Sequence, residues 1–159
     1  MKKCIYPGTF DPITIGHLDI IERAYEKCDE ELILAVYNNK NKRCRFTLEE
    51  REEMVKLTVQ DRFPNIQVII FDTLLIDLAE QNGTGNIIRG IRNATDFEYE
   101  QNLFQINRKL YQDFETIFLI AKNDNKHISS SAVRELIELK GDFSSFVPPA
   151  VAKYIKDKI

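Results

Sequence analysis

The sequence of 159 residues has few cysteines, and those it has form no recognisable framework. Cys4, Cys28 and Cys44 are odd in number and irregularly spaced, with no C-x-x-C pair and no paired histidines of the kind that bind zinc. Free thiols of this kind are typical of the reducing cytosol. The cysteines therefore argue against a disulfide-stapled or zinc-stapled protein.

An excess of positive charge and long apolar runs are also missing. Lys and Arg number 22 against 25 Asp and Glu, and the net charge of −3 argues against nucleic-acid binding over a basic surface. No apolar stretch approaches the length of a membrane span, and the strand-like start Cys4–Tyr6 does not resemble a signal peptide. We expect a cytoplasmic protein that binds neither nucleic acid nor membrane.

Repeats, low-complexity segments and long linkers are absent, so we expect residues 1–159 to form one domain. Short apolar runs rich in Ile, Val and Phe predict buried strands at Cys4–Tyr6, Leu32–Tyr37, Ile66–Phe71, Asn86–Arg89 and Thr116–Ile120. Amphipathic segments predict helices at His17–Lys27, Leu48–Val59, Leu74–Glu80, Thr95–Tyr111, after Ser129–Ser131, and at Ala150–Lys158. This alternation predicts an α/β fold: a Rossmann-like, doubly wound, parallel five-stranded sheet with helices on both faces.

The segment Tyr6–His17 carries the clearest indication of a binding site. It reads as a strand end, a tight Pro/Gly turn and a helix that opens at Gly16 and His17. The first backbone N–H groups of a helix and its dipole favour phosphate, and Gly16 lets a ligand approach the backbone. The alternative is an ordinary turn in which His17 makes only a helix-start hydrogen bond.

Polar or charged residues follow the other predicted strands as well. In a parallel sheet these strand ends meet at one crevice, where ligands bind. Lys42 lies in a loop with Lys40 and Arg43, and the residues alone do not decide which of the three is functional. One serine of Ser129–Ser131 should cap a helix, and the three hydroxyls with that helix start would also form a phosphate cradle. The strand-end candidates are Thr9, Lys42, Leu75, Arg89 and Asn125–Ser131.

These motifs carry a family resemblance over essentially the whole chain. Thr14–His17 resembles the T/H-x-G-H signature of the nucleotidyltransferase superfamily, and Tyr6–His17 is similar to the bacterial phosphopantetheine adenylyltransferases. The likeness continues, in order, through Phe46–Arg51, Ile88–Arg92, Asp96–Glu100 and Ile128–Ser131.

The resemblance implies transfer of the adenylyl group of ATP to 4′-phosphopantetheine, which gives 3′-dephospho-coenzyme A and pyrophosphate in the penultimate step of coenzyme A biosynthesis. The acceptor phosphate is already an anion, so direct in-line attack on the α-phosphate needs no general base and no covalent intermediate. The lack of a Ser-His-Asp or Cys-His constellation agrees with this chemistry. The resemblance further implies Mg²⁺ held mainly through the ATP phosphates with no protein metal site, a homohexamer, and coenzyme A as a feedback inhibitor.

The resemblance also assigns residues. His17 is the catalytic residue and donates to the α-phosphate in the transition state. Glu100, taken alone, would be an ordinary solvated helix acid, and only the family pattern places it beside the nucleotide. The residues for phosphopantetheine are Thr9, Lys42, Leu75 and Arg89. The residues for ATP are Thr9, Phe10, His17, Gly90, Ile91, Arg92, Glu100, Asn125, Lys126, His127, Ile128, Ser129, Ser130 and Ser131.

Two departures from the family pattern concern the adenine side. Asn125 stands where an aromatic residue is usual, and Ala121-Lys122 replaces a Pro-Ser-like run. Two other functions fit the sequence: a nucleotidyltransferase for a different acceptor, such as nicotinate mononucleotide or a phosphorylated alcohol, and a nucleotide-binding regulator without turnover. A complete set of Thr9, His17, Lys42, Arg89 and Arg92 argues against the regulator, because binding alone would not need it.

Overall fold

The computed structural model describes residues 1–159 and is built on one parallel sheet of five strands. The strands are β1 (Lys3–Gly8), β2 (Glu31–Tyr37), β3 (Ile66–Phe71), β4 (Asn86–Ile91) and β5 (Glu115–Ile120). The helices are α1 (Ile15–Tyr25), α2 (Leu48–Val59), α3 (Leu75–Gln81), α4 (Ala94–Leu110), α5 (Ser130–Glu138) and α6 (Pro149–Lys156), with a 3-10 turn at Asn123–Asn125. None of the helices combines the length and apolar character needed to cross a membrane.

The strand order is β3-β2-β1-β4-β5, and every pairing is parallel. The chain moves outward from β1 to β3, then crosses back to place β4 on the other side of β1. The order therefore reverses between β1 and β4, and ligands of doubly wound sheets bind at such a point. The predicted fold class is confirmed.

Successive side chains of each strand point alternately into two separate hydrophobic cores, one on each face of the sheet. Cys4 and Leu34 point to a core of 24 buried residues that includes residues of α1, α2, α5 and α6. Ile5 and Ile33 point to the opposite face, where only 8 buried residues, among them Leu78 of α3, form the core. Helices cover both faces, but α4 has no buried residue in its 17 positions. The second face is thus much more thinly covered than the first.

Local sequence signals set the bounds of α1 and α2. Thr47 and Glu50 form the predicted capping box, with Thr47 N–H donating to Glu50 Oε2 at 2.9 Å and Glu50 N–H donating to Thr47 Oγ1 at 3.2 Å. Helix α2 consequently has the predicted bounds. Helix α1 begins at Ile15, slightly earlier than predicted, because Thr14 acts as its N-cap.

The prediction for the end of β4 was wrong. The strand does not end at Arg89 but continues to Ile91, since β5 pairs with it as far as Ile91–Ile120. Gly90, placed after the strand by the predicted bounds, therefore lies within it. A Cβ there would come within 3.1 Å of Ile20 Cγ1 on α1, so one reason for this glycine is close packing of helix on sheet.

Candidate active site

Two adjoining cavities open at the carboxyl ends of the strands. The first, here the His17 cavity, has a volume of about 550 Å³ and reaches from β1 to the start of α5. The second, here the Leu75 cavity, measures about 560 Å³ and extends over the thinly covered face towards α3 and α4. Their common wall consists of Pro7, Gly8, Thr9, Lys42, Arg89, Tyr99 and Glu100. The predicted convergence of strand ends on one crevice is thus present, divided into two compartments.

The turn after β1 is shaped by tight packing. Phe10 has a φ of 50°, in the left-handed region that few non-glycine residues adopt. Its buried ring lies so close to Gly8 that a Cβ on Gly8 would come within 2.7 Å of Phe10 Cζ. The same ring meets the His17 imidazole edge-on, with 5.2 Å between centroids. Phe10 therefore packs against the His17 ring at the start of α1 and limits its movement.

His17 has its two ring nitrogens in different surroundings. Thr14 N–H donates to Nδ1 at 3.0 Å, and this bond completes a capping box with the His17 N–H donating to Thr14 Oγ1 at 3.3 Å. Because Nδ1 accepts a hydrogen bond, the neutral ring carries its proton on Nε2. Burial, followed by the positive charges of Arg92 and Arg89, lowers the pKa of His17 to about 4. His17 thus makes the helix-start bond and still offers a neutral Nε2–H donor to the cavity that it lines.

The structure distinguishes Lys42 from Lys40 and Arg43, the three cations among which the sequence did not decide. Lys40 pairs with Asp72 at 3.2 Å between Nζ and Oδ2. Lys42 lines both cavities, whereas Lys40 and Arg43 line neither. Lys42 forms no salt bridge. Of the three, Lys42 is therefore the one available to an anion at the common wall.

The three arginines that line the His17 cavity are each paired with an acid. Arg89 bonds to Glu100 through Nε, at 2.8 Å from Oε2, and through Nη2. Arg92 Nε lies 3.1 Å from Asp96 Oδ2. Arg134 Nη1 lies 3.6 Å from Asp11 Oδ2 and also donates to the Asp11 carbonyl at 2.7 Å. Lys42 is consequently the one cation lining the cavity without an acidic partner.

The serine segment supplies the start of α5. Ser129 is the N-cap, accepting from Ala132 N–H at 3.1 Å, as predicted for one of the three. Ser130 Oγ donates to the Pro12 carbonyl at 2.8 Å, and Ser131 Oγ accepts from Arg134 Nη2 at 3.1 Å. All three line the His17 cavity. The Ser130 hydroxyl holds the helix start against the turn after β1, and all three serines are within the reach of a ligand in the cavity.

Most predicted residues lie on these walls. All four phosphopantetheine residues line the Leu75 cavity: Thr9, Lys42, Leu75 and Arg89. Of the ATP residues, those lining the His17 cavity are Thr9, Phe10, His17, Gly90, Arg92, Glu100, Asn125, Ile128, Ser129, Ser130 and Ser131. Ile91, Lys126 and His127 line neither cavity. Ile91 is buried, and His127 lies edge-on to Phe146 with 6.4 Å between centroids.

Sequence reasoning missed the residues that hold these loops together. Asp11 is 1% exposed, and its carboxylate accepts from Arg45 N–H and Phe46 N–H, both at 3.0 Å. Buried Arg51 donates from Nη1 to the carbonyls of Thr9 at 2.7 Å and Tyr37 at 2.9 Å, which joins the ends of β1 and β2. The sequence did contain a signal for Arg134: it follows Ser130 by four residues on the same helix, so it should face the same cavity as that predicted site residue.

Comparison with known proteins finds relatives over nearly the whole length of the chain. Residues 5–136 match the family model described as cytidylyltransferase-like. The chain is 44% identical over 157 residues to the phosphopantetheine adenylyltransferase of Staphylococcus carnosus, covering 99% of this chain and 96% of that protein. The chain belongs to the phosphopantetheine adenylyltransferase family. The resemblance seen in the motifs is thereby confirmed.

Other relatives are consistent with this placement. The Campylobacter jejuni phosphopantetheine adenylyltransferase is 44% identical over 155 residues, which cover 98% of this chain and 97% of that protein. Among solved structures, a Vibrio parahaemolyticus protein described as a nicotinate-nucleotide adenylyltransferase superposes with a TM-score of 0.74. It covers 99% of this chain and 94% of that one at 18% identity, so it supports the fold alone.

Proposed function

We propose that this chain transfers the adenylyl group of ATP to 4′-phosphopantetheine, giving 3′-dephospho-coenzyme A and pyrophosphate. The observation that carries this proposal is the pair of cavities joined at Thr9, Lys42 and Arg89. One cavity is lined by arginines, serines and His17, which suit a triphosphate. The other has apolar walls that include Leu75, Leu103 and Phe104 and suits an elongated acceptor whose phosphate lies at the common wall.

The reaction needs alignment and charge stabilisation. An oxygen of the acceptor phosphate forms a bond to the α-phosphorus of ATP while the bond from that phosphorus to the bridging oxygen breaks, and pyrophosphate leaves with the electron pair. Neutral His17 donates from Nε2 to an α-phosphate oxygen, and this bond strengthens as charge develops. The edge contact with Phe10 and the hydrogen bond from Thr14 N–H to Nδ1 fix the direction of the donor before ATP arrives.

The two phosphate groups have separate partners in this proposal. Lys42, Thr9 and Arg89 hold the acceptor phosphate at the common wall. Arg92, Arg134 and the N-terminus of α5 with Ser129 and Ser130 hold the β- and γ-phosphates of ATP. This division gives the attacking oxygen and the leaving pyrophosphate separate partners, as an in-line displacement at the α-phosphorus requires.

We propose that Mg²⁺ enters bound to the ATP phosphates, whose charge it neutralises. The three acids that line the His17 cavity are Asp11, Asp96 and Glu100, and each is paired with an arginine. No cluster of three or more His, Cys, Asp or Glu side chains is arranged to hold a metal. The donor set therefore fits a cation carried mainly by the substrate.

We further propose a homohexamer acting in the cytoplasm, with coenzyme A as a feedback inhibitor that occupies the same cavities. Exposed apolar residues on α4 and at the end of β5 support an assembly, since a free chain would present them to water. They are Phe97, Tyr99, Ile106, Leu110 and Ile120. The thin second core beneath α4 would gain most from coverage by a neighbouring chain.

The test is exchange of labelled pyrophosphate into ATP by the purified protein with Mg²⁺ and 4′-phosphopantetheine. Exchange should depend on the acceptor, and pantetheine should not support it because it lacks the attacking phosphate. Nicotinate mononucleotide and glycerol 3-phosphate serve as competing acceptors. Exchange driven equally well by pantetheine, or only by another acceptor, would refute the proposed function, and ATP binding without any exchange would indicate a regulator.

A further inference from the structure

The ion pair of Arg89 and Glu100 stands at the boundary between the two cavities. Both residues line both cavities, so both sit where the acceptor phosphate is proposed to bind. Glu100 lies on α4 with 12% of its side chain exposed, and Arg89 lies on β4 with 26% exposed. The pair is thus largely withdrawn from water, where a charge interaction is screened less than at the surface.

A count of donors shows what the pair leaves for a ligand. A guanidinium has five N–H groups. Glu100 takes one from Nε and one from Nη2, and the Pro7 carbonyl takes one from Nη1 at 3.1 Å. Two donors remain, one on each terminal nitrogen. The edge formed by Nε and Nη2, which suits a phosphate in two-point contact, is already occupied by a carboxylate.

The carboxylate of Glu100 also acts on an incoming phosphate directly. It places a negative charge within one guanidinium width of the position proposed for a phosphate dianion, and like charges at such range repel. Without Glu100, Arg89 would remain tied to the Pro7 carbonyl but would lack a counter-ion. A bound phosphate would then supply the missing counter-ion of the poorly hydrated Arg89 guanidinium, so phosphate binding would become more favourable.

We propose that Glu100 competes with the acceptor phosphate for Arg89 and so limits how tightly phosphopantetheine and the product are held. This inference rests on the proposed function, since it takes the acceptor phosphate to bind at the common wall. Glu100 is then a positioning residue that acts through Arg89. Its benefit is turnover, because an arginine already satisfied by a carboxylate can release the product and close on Glu100 again.

The test is calorimetric titration of phosphopantetheine and of pantetheine into Glu100→Gln, with Glu98→Gln as the matched control. Glu98 lies two residues earlier on α4, is exposed and forms no ion pair, and its substitution changes the net charge equally. Glu100→Gln should bind phosphopantetheine about tenfold more tightly than wild type. It should bind pantetheine equally well, and Glu98→Gln should match wild type with both ligands.

An Arg89→Met background should abolish the gain from Glu100→Gln, because the competition is for Arg89. If Glu100→Gln fails to fold, Glu100→Asp should also tighten phosphopantetheine binding, since a side chain shorter by one methylene does not reach Nε and Nη2. Unchanged or weaker phosphopantetheine binding by Glu100→Gln would overturn the inference. Failure of the wild type itself to bind phosphopantetheine would instead count against the proposed function.

Discussion

The imidazole of His17 combines a structural and a chemical role in one residue. Its Nδ1 completes the cap of α1, and this bond fixes the proton on Nε2, where a donor to the α-phosphate is needed. The lowered pKa keeps the ring neutral at pH 7, so His17 offers the α-phosphate a neutral N–H donor and not a positive charge. The same residue therefore aligns the helix start and supplies the proposed catalytic contact.

His17→Ala should lower turnover far more than it weakens ATP binding, because the bond strengthens as the transition state forms. Loss of one such donor costs on the order of 3 kcal/mol, which is a rate drop of about a hundredfold or more. Steady-state kinetics and ATP titration measure the two effects separately. His127→Ala is the comparison: the second histidine is also a predicted ATP residue but lines neither cavity, so its loss should lower turnover much less. Unchanged turnover with weakened ATP binding would make His17 a binding residue only.

The pH dependence of stability follows from the same pKa. The folded value of about 4 lies below the ordinary 6.5, so the unfolded chain takes up the proton first as the pH falls. The contribution of His17 to stability is complete above pH 6.5 and is lost between about 6.5 and 4. Urea unfolding should show wild type losing more stability than His17→Gln between these pH values. Parallel curves for the two proteins would contradict the lowered pKa.

Lys42 and Arg89 should distinguish the acceptor half of the site from the nucleotide half. Lys42→Ala and Arg89→Ala should each weaken phosphopantetheine binding by about tenfold or more and leave binding of ATP alone nearly intact. Arg89→Lys should not restore binding, because an ammonium cannot reproduce the planar fork. Calorimetry with each ligand separately is the measurement, and Lys40→Ala, which removes a cation paired outside the cavities, is the control. Equal loss of both ligands would show that the two halves are wrongly assigned.

At the scale of elements, ion pairs of the buried residue Asp19 link the segment after β5 to α1. Asp19 on α1 is 4% exposed, and its Oδ1 lies 2.8 Å from Lys122 Nζ while its Oδ2 lies 3.3 Å from Arg23 Nη1. Arg23 Nη1 also donates to the Ile120 carbonyl at 2.7 Å. The hydrogen bond that Lys122 donates to the Asp19 carboxylate raises the pKa of Lys122. The unusual Lys122 therefore joins the element that carries His17 to the segment leading to Ser129.

Lys122→Ala should lower the urea midpoint of unfolding, since the buried carboxylate of Asp19 loses one of its two cationic partners. Urea unfolding at pH 7 measures the change. Lys126→Ala, in the same segment but without an ion pair, should unfold at the wild-type midpoint. The interpretation would be abandoned if both variants unfolded at the same urea concentration.

At the scale of the whole molecule, the asymmetry of the two cores bears on assembly. The face under α1, α2, α5 and α6 has 24 buried residues, and the face under α3 and α4 has 8. Leu110 and Ile106 on α4 are 63% and 57% exposed. A chain that leaves this face open in isolation gains apolar burial by packing it against another copy.

Leu110→Glu should therefore shift the protein from the proposed six-chain assembly towards smaller species, because a charge would have to be buried at the interface. Sedimentation velocity measures the distribution. Leu139→Glu is the control, because Leu139 is 73% exposed but follows α5 on the other side of the sheet. A wild-type protein that sediments as a monomer would refute the proposed hexamer, and an unaffected assembly in Leu110→Glu would exclude this face as its interface.

The sequence by itself determined most of the elements and indicated the crevice in which the candidate site lies. Strand β3 and helix α2 have their predicted bounds, because a continuous apolar run and a capping box are signals that neighbouring residues carry. Parallel strands also bring their carboxyl ends together, so the candidate residues could be assigned to one crevice before any contact was known. The acid–arginine pairs could not be assigned in this way.

Only the tertiary structure decided which charges are free and where β4 ends. Arg89 and Glu100 are eleven residues apart, and Asp11 and Arg134 are 123 apart, so no local pattern reports their pairing. The extension of β4 to Ile91 depends on hydrogen bonds offered by β5, which follows it by more than twenty residues. Backbone preferences act over a few neighbours, whereas ion pairs and strand ends depend on what folding brings alongside.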